Sequence, residues 1–181
     1  MCQMISQVVL YVTHSLDSYK RIHFMETPVM SAYLLAFAAG SYSSITSMTE
    51  HSIPVSLIFP SCSSFSIIFI IGLPSSSFQY ALDASVHAFD YFQTRFSEPY
   101  PLSSLKIALS PNFAPAAMEN YGLIICRGEY LMIEEGASQD LQRRVAYVLS
   151  HEIAHQWFGN LVTNRDWSDV YIQEGLATFY G

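Results

Sequence analysis

The sequence predicts an α+β fold, and three observations lead there. The first third sets short apolar runs between Pro, Gly and Ser punctuation, as strands and turns do. From Ser76 onward, apolar residues recur at helical spacing in two long segments. Between those segments lie apolar runs of strand length. The 181 residues suit one domain or the abutting parts of two, and the change of pattern puts a boundary at 75/76.

Taken in order, METPVMSAYLLAFAAGSY (25–42) reads as a buried strand and turn, and SIPVSLIF (52–59) as a second strand. The Ser-rich SCSSFS and PSSSF read as loops on either side of an apolar run. Phe78, Leu82, Val86, Phe89 and Phe92 then predict a helix capped by Ser76 or Ser77, which the prolines of EPYP (98–101) must end. LKIAL (105–109) alternates like a strand, and LIICRGEYLMI (123–133) reads as one or two strands with a Gly kink. Ser138 caps a helix that runs through Leu141, Val145, Val148 and Leu149 and stops at Gly159. A last helix begins at Asp166 or Ser168.

Composition excludes several classes of function. Half the chain is apolar and 14% aromatic, so it can bury a core and is not a disordered tail. A net charge of -7 argues against nucleic acid as a partner, because phosphate binding wants a basic surface. Cys2, Cys62 and Cys126 form no C-x-x-C and are too scattered for a disulfide framework, so they read as ordinary thiols. The N-terminus lacks the basic start and cleavage site of a signal peptide. Residues 55–73 are uncharged and long enough to span a bilayer, but Pro60 and four serines leave a continuous apolar run of only Ile67–Leu73. A run that short reads as a buried strand; a small membrane protein built on it is the distant alternative.

The chemistry concentrates in LSHEIAHQWFGN (149–160). On a helix, His151 and His155 share one face a turn apart, so both imidazoles can address one metal ion. Glu152, one step round, can reach a water on that ion. A zinc ion with three protein ligands keeps one position open and lowers the pKa of water there to about 7. The glutamate then serves as general base and passes the proton to the leaving amine. A third ligand is needed, and Asp166, Asp169 and Glu174 lie downstream. Glu174 follows His155 by 19 residues, far enough for a turn at Gly159 and an antiparallel return; Asp169 suits a hydrogen bond to a ligand histidine. H-E-x-x-H alone specifies only three residues in five, and helices carry it by accident. The other histidines (His14, His23, His51, His87) lack such a context.

A second motif changes the weight. PNFAPAAMENYGLI (111–124), followed by HEIAHQWFGNLVT (151–163) and QEGLA (173–177), resembles the membrane alanyl aminopeptidase family, the gluzincin zinc metallopeptidases of aminopeptidase N and puromycin-sensitive aminopeptidase type. Softer similarity runs back through FMETPVMSAYLLAFAAG and QYALDASVHAFDYF. The likeness covers roughly residues 20–181, apart from an uncharged insert near 60–77.

The resemblance implies a fold: residues 1–75 as the end of an N-terminal β domain, and 76–181 as the start of a thermolysin-like zinc metallopeptidase catalytic domain. It also implies hydrolysis of N-terminal residues from peptides with one zinc ion, His151, His155 and Glu174 as ligands and Glu152 as general base. Glu119 becomes the anchor for the substrate's free amine, because a fixed carboxylate beside the metal pairs with an ammonium and admits only chain ends. Ala116, Ala117, Met118 and Asn120 complete the substrate-binding segment, with backbone around Ala116 and Ala117 holding a peptide extended as a strand edge does. The partner it implies is a peptide with a free N-terminus; for location it leans to a membrane or cell surface, with cytoplasm as the alternative.

The chain also departs from the family pattern. Ala116 replaces the family's first Gly, Cys126 and Gly128 stand where Tyr and Glu are usual, and Gln173 replaces Asn. The family's oxyanion-stabilising tyrosine and its helical remainder fall downstream of Gly181. The resemblance therefore implies a partial chain, for which a non-catalytic zinc-binding remnant is the alternative; losing an oxyanion donor costs on the order of a hundredfold in rate.

Overall fold

A computed structural model describes residues 3–6, 10–16, 19–61, 75–134 and 136–181. At its centre is a five-stranded mixed sheet in the order β5-β6-β7-β9-β8. β5 (Tyr42–Met48) and β6 (Pro54–Pro60) form an antiparallel hairpin. β7 (Leu105–Leu109) and β9 (Leu123–Cys126) run parallel to β6, and β8 (Ala117–Met118) closes one edge antiparallel to β9. Two smaller pairs precede it: β1 (Gln3–Ser6) with β4 (Phe37–Gly40), and β2 (Leu10–Leu16) with β3 (Tyr19–Phe24).

Parallel strands are covered on both faces and therefore read as near-continuous apolar runs. Leu57, Ile107, Ile124 and Cys126 face the helices, while Ile58, Ala108 and Leu123 form a smaller cluster with Ala36 on the other side. The alternation along each strand is the two-residue period of the pleat.

Parallel β6 and β7 require a crossover, which α1 (Gln79–Arg95) supplies. Ala81, Leu82, Ser85, Ala88, Phe89 and Phe92 are its buried stripe at helical spacing. Neither Ser76 nor Ser77 caps it. Ser75–Phe78 form a 3-10 turn, Phe78 takes the cap position, and the Ser77 carbonyl accepts from the Ile133 amide at 2.8 Å instead. α2 (Gln139–Ala154) does have the expected cap, the Ser138 hydroxyl accepting from the Leu141 amide. α3 (Val170–Tyr180) follows a 3-10 turn, Trp167–Asp169, capped by Asp166.

LIICRGEYLMI holds one strand, β9, and kinks at Gly128, where a 3-10 turn, Gly128–Tyr130, begins. Two expectations need correction. Residues 25–42 are not one strand: a 3-10 turn at Ala32–Leu34, which buries Leu34 completely, bends the chain before β4. Regular α2 ends at Ala154, short of Gly159, and wider turns follow, with Asn160, Leu161 and Val162 amides donating to His155, Gln156 and Trp157 carbonyls. The apolar run Ile67–Leu73, Cys2, Cys62 and most of the uncharged insert lie outside the described residues. Among the described residues, no helix is long and apolar enough to cross a membrane. Cys126 is a buried free thiol.

One aromatic cluster fixes α2 against α1. Trp157 is buried, with ring centroids 5.6 Å from Phe89 and 5.8 Å from both Phe96 and Tyr100. Its indole N–H donates to the Glu98 carbonyl at 2.8 Å, satisfying its one polar atom. Phe96 and Phe158 extend the cluster to Tyr180 at the end of α3. Trp157→Ala is expected to cost about 3–5 kcal/mol, the range for emptying a large aromatic site. Urea denaturation measures it, and a loss below about 1 kcal/mol would remove this cluster as a determinant of the fold.

Candidate metal centre

The last turn of α2 and the middle of α3 present three ligand-type atoms to one point. His151 Nε2 and His155 Nε2 are 3.1 Å apart, and Glu174 Oε2 lies 3.5 Å from each. A tetrahedral ion at about 2.0–2.1 Å from each ligand requires edges of about 3.3 Å. The observed triangle has that size, and no other group of His, Cys, Asp or Glu among the described residues forms one.

The two histidines differ in how they are held. His155 is buried and its Nδ1 lies 2.9 Å from the Phe158 carbonyl. A carbonyl only accepts, so the proton sits on Nδ1 and the Nε2 lone pair faces the other two ligand atoms. The Nδ1 of His151 is buried without a hydrogen-bond partner, although the nearby Ala177 carbonyl favours its charged form. Burial, then the neighbouring His155, lowers the His151 pKa against the opposing pull of Glu174, which favours the neutral imidazole that a metal needs. Asp169, expected beside a ligand histidine, makes no hydrogen bond to either ring among the described residues. It starts α3 instead, and the Phe158 carbonyl takes that part.

Glu152 lies on the buried side of α2, and its Oε2 has no hydrogen-bond partner. Burial, then the charges of Glu119 and Glu174, pushes its pKa up to about 8. An unpaired buried carboxylate is costly unless a cation or a proton compensates it. A divalent ion on His151, His155 and Glu174 would oppose both charge causes. The orphaned oxygen and the ligand triangle therefore fit a metal site together.

Glu119 and Asn120 are buried directly after β8, while Ala116, Ala117 and Met118 are half-buried on the sheet edge. β8 uses one side to pair with β9, Ala117 opposite Cys126 and Met118 opposite Ile125. Its outer side has no neighbouring strand in the sheet order. The residues that hold Glu119 in place were not expected from the sequence. Its carbonyl accepts from Gln156 Nε2 at 3.2 Å and from Asn160 Nδ2 at 2.8 Å, both amides being fully buried. Gln156 Oε1 also accepts from the Gly122 amide at 3.0 Å. Gln156 and Asn160 stand in the quoted motif, but their acceptors are backbone groups, which carry no sequence signature.

Gly159 makes the return possible. Its φ of 108° lies in the region that favours glycine, and a Cβ there would come within 3.1 Å of the Gln173 side chain.

The geometry agrees with comparison to known proteins. Residues 80–181 match the Peptidase family M1 domain. Aminopeptidase M1-C of Oryza sativa subsp. japonica is 37% identical over 161 residues, which are 88% of this chain and 17% of that protein. The puromycin-sensitive aminopeptidase of Caenorhabditis elegans is 35% identical over 161 residues, 88% of this chain and 16% of that one. Glutamyl aminopeptidase of Bos taurus is 36% identical over 166 residues, covering 91% and 16%. The chain thus spans about a sixth of the length of these relatives. With a family domain matched over more than half its residues and relatives above 30% identity along most of its length, this chain belongs to peptidase family M1.

Proposed function

We propose that the chain carries the zinc-binding and amine-binding residues of an aminopeptidase that removes N-terminal residues from peptides. The observation that carries this reading is the His151–His155–Glu174 triangle with the unpaired Glu152 beside it. In this reading residues 1–75 end an N-terminal β domain and 76–181 begin a thermolysin-like catalytic domain. The aminopeptidase names of the relatives support the substrate class, a peptide with a free N-terminus.

His151, His155 and Glu174 would hold one zinc ion. When bound, it supplies Lewis acidity that makes water a nucleophile at neutral pH. Glu152 takes the proton of the attacking water and delivers it to the departing amine. Glu119 pairs with the substrate's ammonium, so a peptide without a free amine loses its main electrostatic contact. The open side of β8, around Ala116, Ala117 and Met118, holds the peptide extended, and Asn120 anchors the end of that segment.

Zinc content and turnover test the proposal separately. Purified protein should bind one zinc per chain and hydrolyse leucine p-nitroanilide. Glu152→Gln should keep the zinc and lose about 10²–10⁴-fold in kcat. Zinc without turnover above that variant would support the remnant, and no zinc would sink the proposal. Glu119→Ala should raise KM for the free-amine substrate by about tenfold while zinc content stays unchanged.

A pH experiment checks the environment of Glu152. Its folded pKa, about 8, lies above its ordinary 4.5, so the folded state binds the proton more tightly than the unfolded state. In chelator-treated protein, this group's contribution is most favourable below pH 4.5 and is lost as the pH rises from there to about 8. The loss is on the order of a few kcal/mol. Glu152→Gln should flatten that part of the Tm-against-pH curve; an unchanged slope would rule out a buried, unpaired carboxyl.

A further inference from the structure

The stretch around Tyr33 enters none of the chemistry above, yet it touches both carboxylate-bearing segments. Through its main chain, Tyr33 meets the residue after Glu119. Asn120 Nδ2 lies 3.5 Å from the Tyr33 carbonyl and 3.4 Å from that of Leu34. Through its side chain, it meets the residue before Glu174: Gln173 Nε2 donates to the Tyr33 hydroxyl at 3.2 Å. Gln173 is itself buried and fixed, its Oε1 accepting from Asn164 Nδ2 at 3.0 Å. The ring packs on Trp167 with centroids 4.9 Å apart, which sets its direction. Gln173 is also a position where this sequence departs from the family's usual Asn, one methylene shorter.

We propose that Tyr33 is a positioning residue for amine recognition: its main-chain carbonyl, meeting Asn120, and its hydroxyl, fixed by Gln173, link the Glu119 segment to the Glu174 helix and set the spacing of the two carboxylates. This role rests on the aminopeptidase reading. A phenol that accepts from an amide still has its own hydrogen to give. Glu119 is the carboxylate in reach: burial first raises the Tyr33 pKa, and the charge and hydrogen bonding of Glu119, with the charge of Glu174, add to that rise against the opposing pull of Gln173. The phenol can therefore donate to a carboxylate. An ammonium pairs best with a carboxylate, here Glu119, whose place relative to the metal ligand Glu174 is preset, because ordering it on binding costs affinity.

The chemistry does not require a bulky probe. In the full protein, binding of L-leucinamide and of N-acetyl-L-leucinamide is measured by calorimetry alongside zinc content. Tyr33→Phe keeps the ring on Trp167 and removes only the hydroxyl. It should retain one zinc per chain, weaken L-leucinamide about tenfold and leave the acetylated probe unchanged. Gln173→Asn, too short to reach the hydroxyl, should weaken the same probe, and the double variant should be no worse than Tyr33→Phe, as two members of one linkage require. Equal L-leucinamide affinity in Tyr33→Phe overturns the positioning role alone. Loss of zinc together with affinity also overturns it, by showing a structural role. Parent protein that binds zinc yet does not prefer the free amine overturns the aminopeptidase reading and this inference with it.

Discussion

The carbonyl of Glu119 is where the sheet and the helix that carries His151 are joined. It ends a two-residue edge strand, so the sheet itself offers it little support. Two buried amides converge on it, Gln156 from just past α2 and Asn160 from beyond the following turn. A buried carbonyl with its lone pairs filled is stable, whereas the loss of either donor leaves a polar group stranded at low dielectric. Gln156 spends its other end on the Gly122 amide, so one side chain holds the backbone on both sides of Asn120 and Tyr121. Whatever moves His151 and His155 must therefore move Glu119 too.

That joint needs the chain to turn sharply after His155, and the aromatic cluster supplies the rigidity. Trp157 sits between Gln156 and Phe158 in sequence, and both neighbours are committed: Gln156 to the Glu119 carbonyl, Phe158 to the His155 imidazole. With the indole wedged among Phe89, Phe96 and Tyr100, those two groups cannot rotate away from their partners. Core packing and site geometry are thus set by three consecutive residues. A cavity at Trp157 would loosen the ligand histidine as well as the fold.

Much of this was legible in the sequence where one physical signal dominated. Apolar periodicity located α1, α2, β6 and β7, because each buries one face or one stripe against the same core. The four-residue spacing brought His151 and His155 together, because helix geometry converts it into proximity, whereas Glu174 was one of three downstream carboxylates. The failures occurred where an apolar run carries no period. Around Leu34 the run reads as a strand, but the chain bends there to plug the core with a single leucine. After Cys126 the sequence left one strand or two open, and the chain turns at Gly128 after one. Gln156, Asn160 and Tyr33 escaped notice for a related reason: their partners are backbone groups or residues far along the chain.

Three glutamates of the same intrinsic acidity meet in this site, and environment alone separates them. Glu174 is half-exposed, its Oε2 3.5 Å from the Nε2 of both imidazoles. Glu152 is buried with an unpaired oxygen, and burial, then the charges of Glu119 and Glu174, makes it hold a proton more strongly than an ordinary glutamate. Glu119 is buried but tethered through its own carbonyl, which accepts from Gln156 and Asn160. Burial without a partner, burial with a tether, and exposure beside imidazole thus distinguish three copies of one residue type, as the proposed division into proton transfer, amine recognition and metal ligation requires.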